Sequence, residues 1–151
     1  MTQQPRKKCR IFVVHDEPVI ASSLAQILSH EGFEAKPFTE PLEALEAASS
    51  HAPDILISDV GISLGSGIEL AAGIQKYRPG CKVLLFSTHA SPAALGDPAV
   101  ERHGFELIQK PVHPTDLLKR LQVLLENNPN LCGSEKLLRA YGDSSPSVTG
   151  P

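Results

Sequence analysis

The sequence has no apolar stretch behind its N-terminal charges, and no apolar run of the roughly 20 residues needed to cross a bilayer. An exported or membrane-bound chain is therefore not expected, and the cytoplasm is the default location. It also lacks a broad positive field. The net charge is -3, and the single basic run, Arg6, Lys7, Lys8 and Arg10 around Cys9, directly precedes an apolar segment and reads as the solvated flank of a strand. Direct nucleic-acid binding is not expected. Cysteine is scarce: Cys9, Cys81 and Cys132 are odd in number and share no metal-ligand spacing, which favours reduced thiols over disulfides or a zinc site. His89, His103 and His113 show no ligand spacing either and read as structural.

What remains is ordinary material for one globular domain: 151 residues, 41% hydrophobic and 21% charged. Short apolar runs alternate with longer amphipathic ones. Ile11 to Val14 is continuously apolar, as in a strand covered on both faces, and ends in His15-Asp16-Glu17. Pro18 suits the first turn of a helix whose apolar positions are Ile20, Leu24, Ile27 and Leu28, and Gly32 stops it. Phe33 to Phe38 reads as an edge strand. Thr39 is placed to cap the next helix, with Pro41 in its first turn and Leu42 and Leu45 on its buried face. Asp54 to Ser58 is a third strand delivering Asp59, Gly61 to Gly67 a Gly/Ser loop, and Ile68 to Tyr77 a helix.

Val83 to Phe86 is a fourth strand delivering Ser87 and Thr88, followed by a weak helix over Pro92 to Arg102 that Gly96 and Pro98 interrupt. Phe105 to Gln109 is a fifth strand delivering Lys110, and Pro114 to Glu126 a strong helix with Leu117, Leu118, Leu121, Leu124 and Leu125 apolar. Five strands alternating with five helices predict an α/β fold, a parallel sheet wound on both faces. The division is a short arm over 1–8, one domain over 9–126, and a flexible C-terminal tail over 127–151 with a short helix from Ser134 to Tyr141.

In open parallel sheets ligands bind outside the carboxyl ends of the strands. Asp16, Asp59, Ser87 and Lys110 stand there, from four separate segments. Taken singly, Asp16 and Asp59 also suit the capping of the helices that follow them. Together the four make a carboxylate pair, a hydroxyl and an ammonium. Two neighbouring carboxylates repel unless a cation lies between them, and oxygen ligation suits Mg²⁺. A carboxylate can also attack phosphorus, giving an aspartyl phosphate whose oxygens a hydroxyl, a lysine and Mg²⁺ can hold.

Four motifs occur in order. They are Ile-Phe-Val-Val-His-Asp-Glu-Pro (11 to 18), Pro-Asp-Ile-Leu-Ile-Ser-Asp-Val (53 to 60) with Gly67 beyond it, Val83 to Thr88, and Ile108-Gln109-Lys110-Pro111. Together they resemble the receiver domain of two-component response regulators, of the chemotaxis-regulator type, over about residues 9 to 126. The resemblance implies a flavodoxin-like doubly wound sheet of strand order 2-1-3-4-5 with five helices. It implies Asp59 as phosphoacceptor, Asp16, Asp59 and the Gly61 carbonyl as Mg²⁺ ligands, Ser87 and Lys110 as the phosphoryl-binding switch pair, and a cis Lys110–Pro111 peptide. The implied partners are a histidine kinase or phosphotransfer protein and a downstream protein, with the domain a monomer or a weak phosphorylation-dependent dimer and not an enzyme.

The sequence also departs from the family's pattern. His15 stands where the family has a first aspartate, so the pocket has one carboxylate fewer. Thr88 is larger than the small residue usual beside the site, Ser63 replaces the loop proline, and Leu107 takes the place of an aromatic switch residue. A phosphatase reading of Asp59 lacks the second acid two residues on, where Gly61 stands. A nucleotide-binding reading lacks a Gly-rich turn after the first strand. The competing reading is a degenerate receiver that takes no phosphate and serves as a protein-protein interaction module.

Overall fold

The computed structural model describes residues 8–62, 65–87, 104–109, 113–129 and 131. Its frame is a five-stranded parallel sheet: β1 (Arg10–Val14), β2 (Glu34–Phe38), β3 (Ile55–Asp59), β6 (Lys82–Ser87) and β7 (Glu106–Gln109) lie in the order β2-β1-β3-β6-β7. Counted among the sheet's own strands this is the order 2-1-3-4-5. Two short strands not foreseen in the sequence, β4 (Gly61–Ile62) and β5 (Gly65–Ser66), pair antiparallel inside the segment expected to be a plain loop. Four helices are present among the described residues: α1 (Pro18–His30), α2 (Pro41–Ser50), α3 (Gly67–Tyr77) and α4 (Pro114–Asn127). The helix expected over Pro92–Arg102, the Lys110–Pro111 peptide and the short helix over Ser134–Tyr141 lie outside the described residues.

The helix boundaries follow from local chemistry. α1, α2 and α4 each begin on a proline, whose fixed φ suits a first turn and whose missing N–H is not needed there. The residues before them, Glu17, Glu40 and His113, are extended, the conformation that a following proline favours. Glu40, not Thr39, is the N-cap of α2, and it makes no side-chain cap bond. α1 ends at His30, and Gly32, just past the C-cap Glu31, has a φ of 100° that carries the chain into the left-handed region. Phe33 N–H then donates to Leu28 O and Gly32 N–H to Ser29 O, the paired bonds of a Schellman turn, with Phe33 and Leu28 both buried beneath it.

The central strands β1, β3 and β6 are buried on both faces, so their side chains divide between two cores. Ile11, Val13, Ile55, Ile57, Leu84, Phe86 and Ile108 pack with α1 and the five leucines of α4. Phe12, Val14, Leu56, Val83 and Leu85 pack with α2 and α3. α4 buries the residues its pattern indicates. The other two amphipathic faces are rotated from expectation. α1 buries Ala21, Ala25 and Leu28 while Ile20 is exposed, and α2 buries Pro41, Ala44 and Ala48 while Leu42 is 66% exposed. Small residues let a helix lie close on the sheet. The larger Leu24, Ile27 and Leu45 wedge in at the sides, half-buried.

At the amino end of the sheet a buried carboxylate fastens three segments. Asp54 Oδ2 accepts the Arg10 N–H at 2.8 Å, its Oδ1 pairs with the Arg78 guanidinium, and its own N–H donates to Arg10 O at 2.8 Å. On the outer strand, Pro37 pairs with Val13 in register, and the edge position tolerates its missing N–H. Cys9 is disulfide-bonded, against the expectation of reduced thiols throughout, and its partner lies outside the described residues. Cys81 is a free, buried thiol, its pKa pushed up to about 12 by that burial and lowered only in part by nearby Arg78.

Candidate functional site

The carboxyl ends of β1, β3 and β6 converge on Asp59. β1 and β3 run parallel with Val14 opposite Ser58, so the next residues of each, His15 and Asp59, become neighbours. β3 and β6 pair Asp59 with Phe86, which puts Ser87 one position further out on the adjoining strand, buried at 4% exposure. Asp59 is half-buried at the last position of β3, and Asp16 follows His15 in the exposed turn before α1. Thr88 and Lys110 lie outside the described residues; Lys110 directly follows Gln109, which pairs with Ser87 in register.

Neither carboxylate is the cap of its following helix. α3 begins at Gly67, eight positions beyond Asp59, and the N-cap of α1 is Glu17. The capping alternative for both acids is thereby removed.

His15 is held through both its backbone and its ring. Its N–H donates to Phe38 O at 3.0 Å, prolonging the β1–β2 ladder past the last residue of β1. Its ring is 10% exposed, Nδ1 accepts the Glu17 N–H at 3.1 Å, and Nε2 stands 3.8 Å from Asp59 Oδ2. That distance makes the two groups close neighbours and is too long for a hydrogen bond.

The other side of Asp59 is shaped by the β4–β5 hairpin. Val60 N–H donates to Phe86 O at 2.9 Å, Gly67 N–H returns to Val60 O at 2.7 Å, and Gly61 pairs with Ser66. The loop is closed tightly over the strand end. A Cβ on Gly67 would lie 2.1 Å from the carbonyl oxygen of Asp59 and 3.0 Å from Ser58 Oγ. Only glycine permits this approach, and the requirement is one of space. Ser58, fully buried, donates from Oγ to the same carbonyl at 2.9 Å. Ser58 and the Glu17 amide were not legible as parts of the site. Ser58 reads as strand filling, and a backbone N–H leaves no mark in sequence.

Asp16, Asp59 and the Gly61 carbonyl offer oxygen donors only, which suits Mg²⁺. Among the described residues no three His, Cys, Asp or Glu side chains are grouped to hold a metal ion. Two carboxylates and a carbonyl fit an ion that completes its shell with water, which Mg²⁺ readily does.

Residues 11–122 match the response regulator receiver domain family. The chain belongs to that family. It is 31% identical over 117 residues to the transcriptional regulatory protein CreB of Escherichia coli (strain K12), covering 76% of this chain and 50% of CreB. Among solved structures, a CheY-like receiver domain protein of Methanospirillum hungatei JF-1 superimposes with a TM-score of 0.72 at 29% identity, over 80% of this chain and 96% of that one. The chemotaxis protein CheY4 of Vibrio cholerae gives 0.70 at 25% identity, over 79% of this chain and all (100%) of its own. This receiver chain spans half or less of the length of the first curated relatives it matches. As a receiver domain it is a signalling module of the two-component type, and among its described residues no helix is long and apolar enough to cross a membrane.

Proposed function

We propose that this receiver accepts a phosphoryl group on Asp59 from a histidine kinase or phosphotransfer protein, with Mg²⁺, and passes the change to a partner protein. The observation that carries the reading is the placement of Asp59 at the end of β3, with the β1 terminus bearing His15 and Asp16 on one side and Ser87 on the other. An Asp59 carboxylate oxygen forms the new P–O bond as the P–N bond of the donor phosphohistidine breaks. The electron pair of that bond stays on the donor's imidazole nitrogen. Mg²⁺, held by Asp16, Asp59 and the Gly61 carbonyl, would neutralise charge on the phosphoryl oxygens when bound. The Ser87 hydroxyl and the Lys110 ammonium serve as partners for those oxygens.

Ser87 ends β6 and Lys110 follows β7, so a pull on either is felt first in the strands that flank α4. That is the surface we assign to the downstream partner. Several relatives carry names of transcriptional regulators, but this chain matches only part of their length, and its charge of -3 gives no footprint for DNA of its own.

The test is intact-mass spectrometry after incubation with acetyl phosphate and Mg²⁺. Wild type should gain one phosphoryl group and Asp59→Asn none. Equal labelling of both removes Asp59 as acceptor, and labelling of neither turns the reading to the phosphorylation-independent interaction module.

A further inference from the structure

We infer that His15 is a positioning residue that presents a fixed N–H, from Nε2, to the Asp59 carboxylate and to the phosphoryl group built on it. The inference rests on the reading of Asp59 as phosphoacceptor and specifies what its neighbour does. Nδ1 accepts the Glu17 N–H at 3.1 Å, so Nδ1 carries the lone pair and the ring proton resides on Nε2. Nε2 is the atom that faces Asp59 Oδ2, at 3.8 Å. The ring has little freedom to turn: the side chain is 10% exposed, the backbone N–H of His15 is bonded to Phe38 O, and the residue sits one position past the last pair of the β1–β3 ladder.

Two consequences separate His15 from a metal ligand. To bind a cation through Nε2 the ring would have to give up its proton there and lose the bond from Glu17. A cation held by Asp16, Asp59 and the Gly61 carbonyl therefore meets a hydrogen-bond donor in His15, not a further ligand. The donor also acts on the side where negative charge accumulates as the acyl phosphate forms. A hydrogen bond to a charged oxygen strengthens when it closes up in a site shielded from water. Part of the charge stabilisation that a cation supplies is thus built into the chain.

The tautomer can be read directly on the wild-type protein at pH 8 by long-range ¹H–¹⁵N correlation of ¹⁵N-labelled histidine. The Nε2–H form is expected; a proton on Nδ1, alone or together with Nε2, overturns the proposal. In parallel, the rate of phosphoryl acceptance from acetyl phosphate is followed at several Mg²⁺ concentrations in wild type, His15→Ala, His15→Gln and His15→Asp. Amide spectra verify that each variant is folded. The alanine variant should be slowed by about ten- to a hundredfold at saturating Mg²⁺, the worth of one hydrogen bond to a charged group. Glutamine, which keeps an N–H donor, should recover part of the rate. His15→Asp should bind Mg²⁺ more tightly in a chemical-shift titration and lose acceptance more steeply as Mg²⁺ is withdrawn. An alanine variant as fast as wild type at every Mg²⁺ concentration refutes the donor role. That outcome is distinct from failure of the parent reading, which shows as wild type unlabelled or Asp59→Asn labelled.

Discussion

Replacing Gly67 by alanine tests how closely the acceptor depends on the loop beside it. The added methyl would meet the Asp59 carbonyl oxygen at 2.1 Å and Ser58 Oγ at 3.0 Å, so backbone must separate by about 1 Å to restore contact distance. Overfilling a packed site costs about 1–3 kcal/mol. The preference of a helix for alanine over glycine, about 1 kcal/mol in an interior, offsets little at the first residue of α3. A net loss of about 1–2 kcal/mol lowers the Tm of a domain this size by roughly 3–10 °C. Function should suffer more than stability, because the displaced carbonyl belongs to Asp59 itself. A misplacement of about 1 Å at a reacting group can slow a reaction by roughly a hundredfold. Differential scanning calorimetry and the rate of acetyl-phosphate labelling measure the two effects. Gly80→Ala is the control, since a Cβ there meets nothing within 4 Å, and it should leave both within error. If Gly67→Ala melted with wild type and was labelled at the same rate, the steric argument would be wrong.

Two further outcomes follow from the opposite end of the sheet. Asp54→Ala should cost about 1.5–3 kcal/mol in urea unfolding by removing an acceptor for the Arg10 N–H and the partner of Arg78, and Asp54→Asn should recover the part due to the N–H. Cys81, with its pKa at about 12, stays a thiol in the folded chain. Its peptide should resist iodoacetamide at pH 8 until the protein is unfolded. Because the folded pKa lies above the ordinary value of 9.0, this group's contribution is complete below that value and is lost as pH rises from there toward 12. Cys81→Ala should accordingly flatten the loss of stability in that alkaline window, read from Tm against pH.

The strands were legible because continuous apolar runs such as Ile11–Val14 and Val83–Phe86 have one use in an alternating α/β chain, and α4 because five leucines mark its face. The faces of α1 and α2 misled because alanine carries a weak hydrophobic signal. Ala21, Ala25, Ala44 and Ala48 are buried for their smallness, and Leu42, the more apolar residue, points away from the sheet. The hairpin of β4 and β5 was hidden by its length, two residues on each side. At the site, Asp16, Asp59 and Ser87 could be placed by the rule that function gathers at strand ends. The Glu17 bond that sets the tautomer of His15 could not, since it depends on how one turn folds back on one ring.

The clamp at Asp54 bears on where the molecule can move. It ties the start of β1, the approach to β3 and the segment after α3 at one rim of the sheet, while at the opposite rim His15 Nε2 and Asp59 Oδ2 face each other across 3.8 Å. A sheet so fastened behaves as a plate held along one side. A change at Asp59 is therefore expected to pass first to the neighbouring strand ends, those of β1 and β6, and least to the clamped rim. A sensor built this way reports laterally, and the surfaces best placed to feel a change at Asp59 are those flanking the same rim, however near in sequence the clamped ends lie.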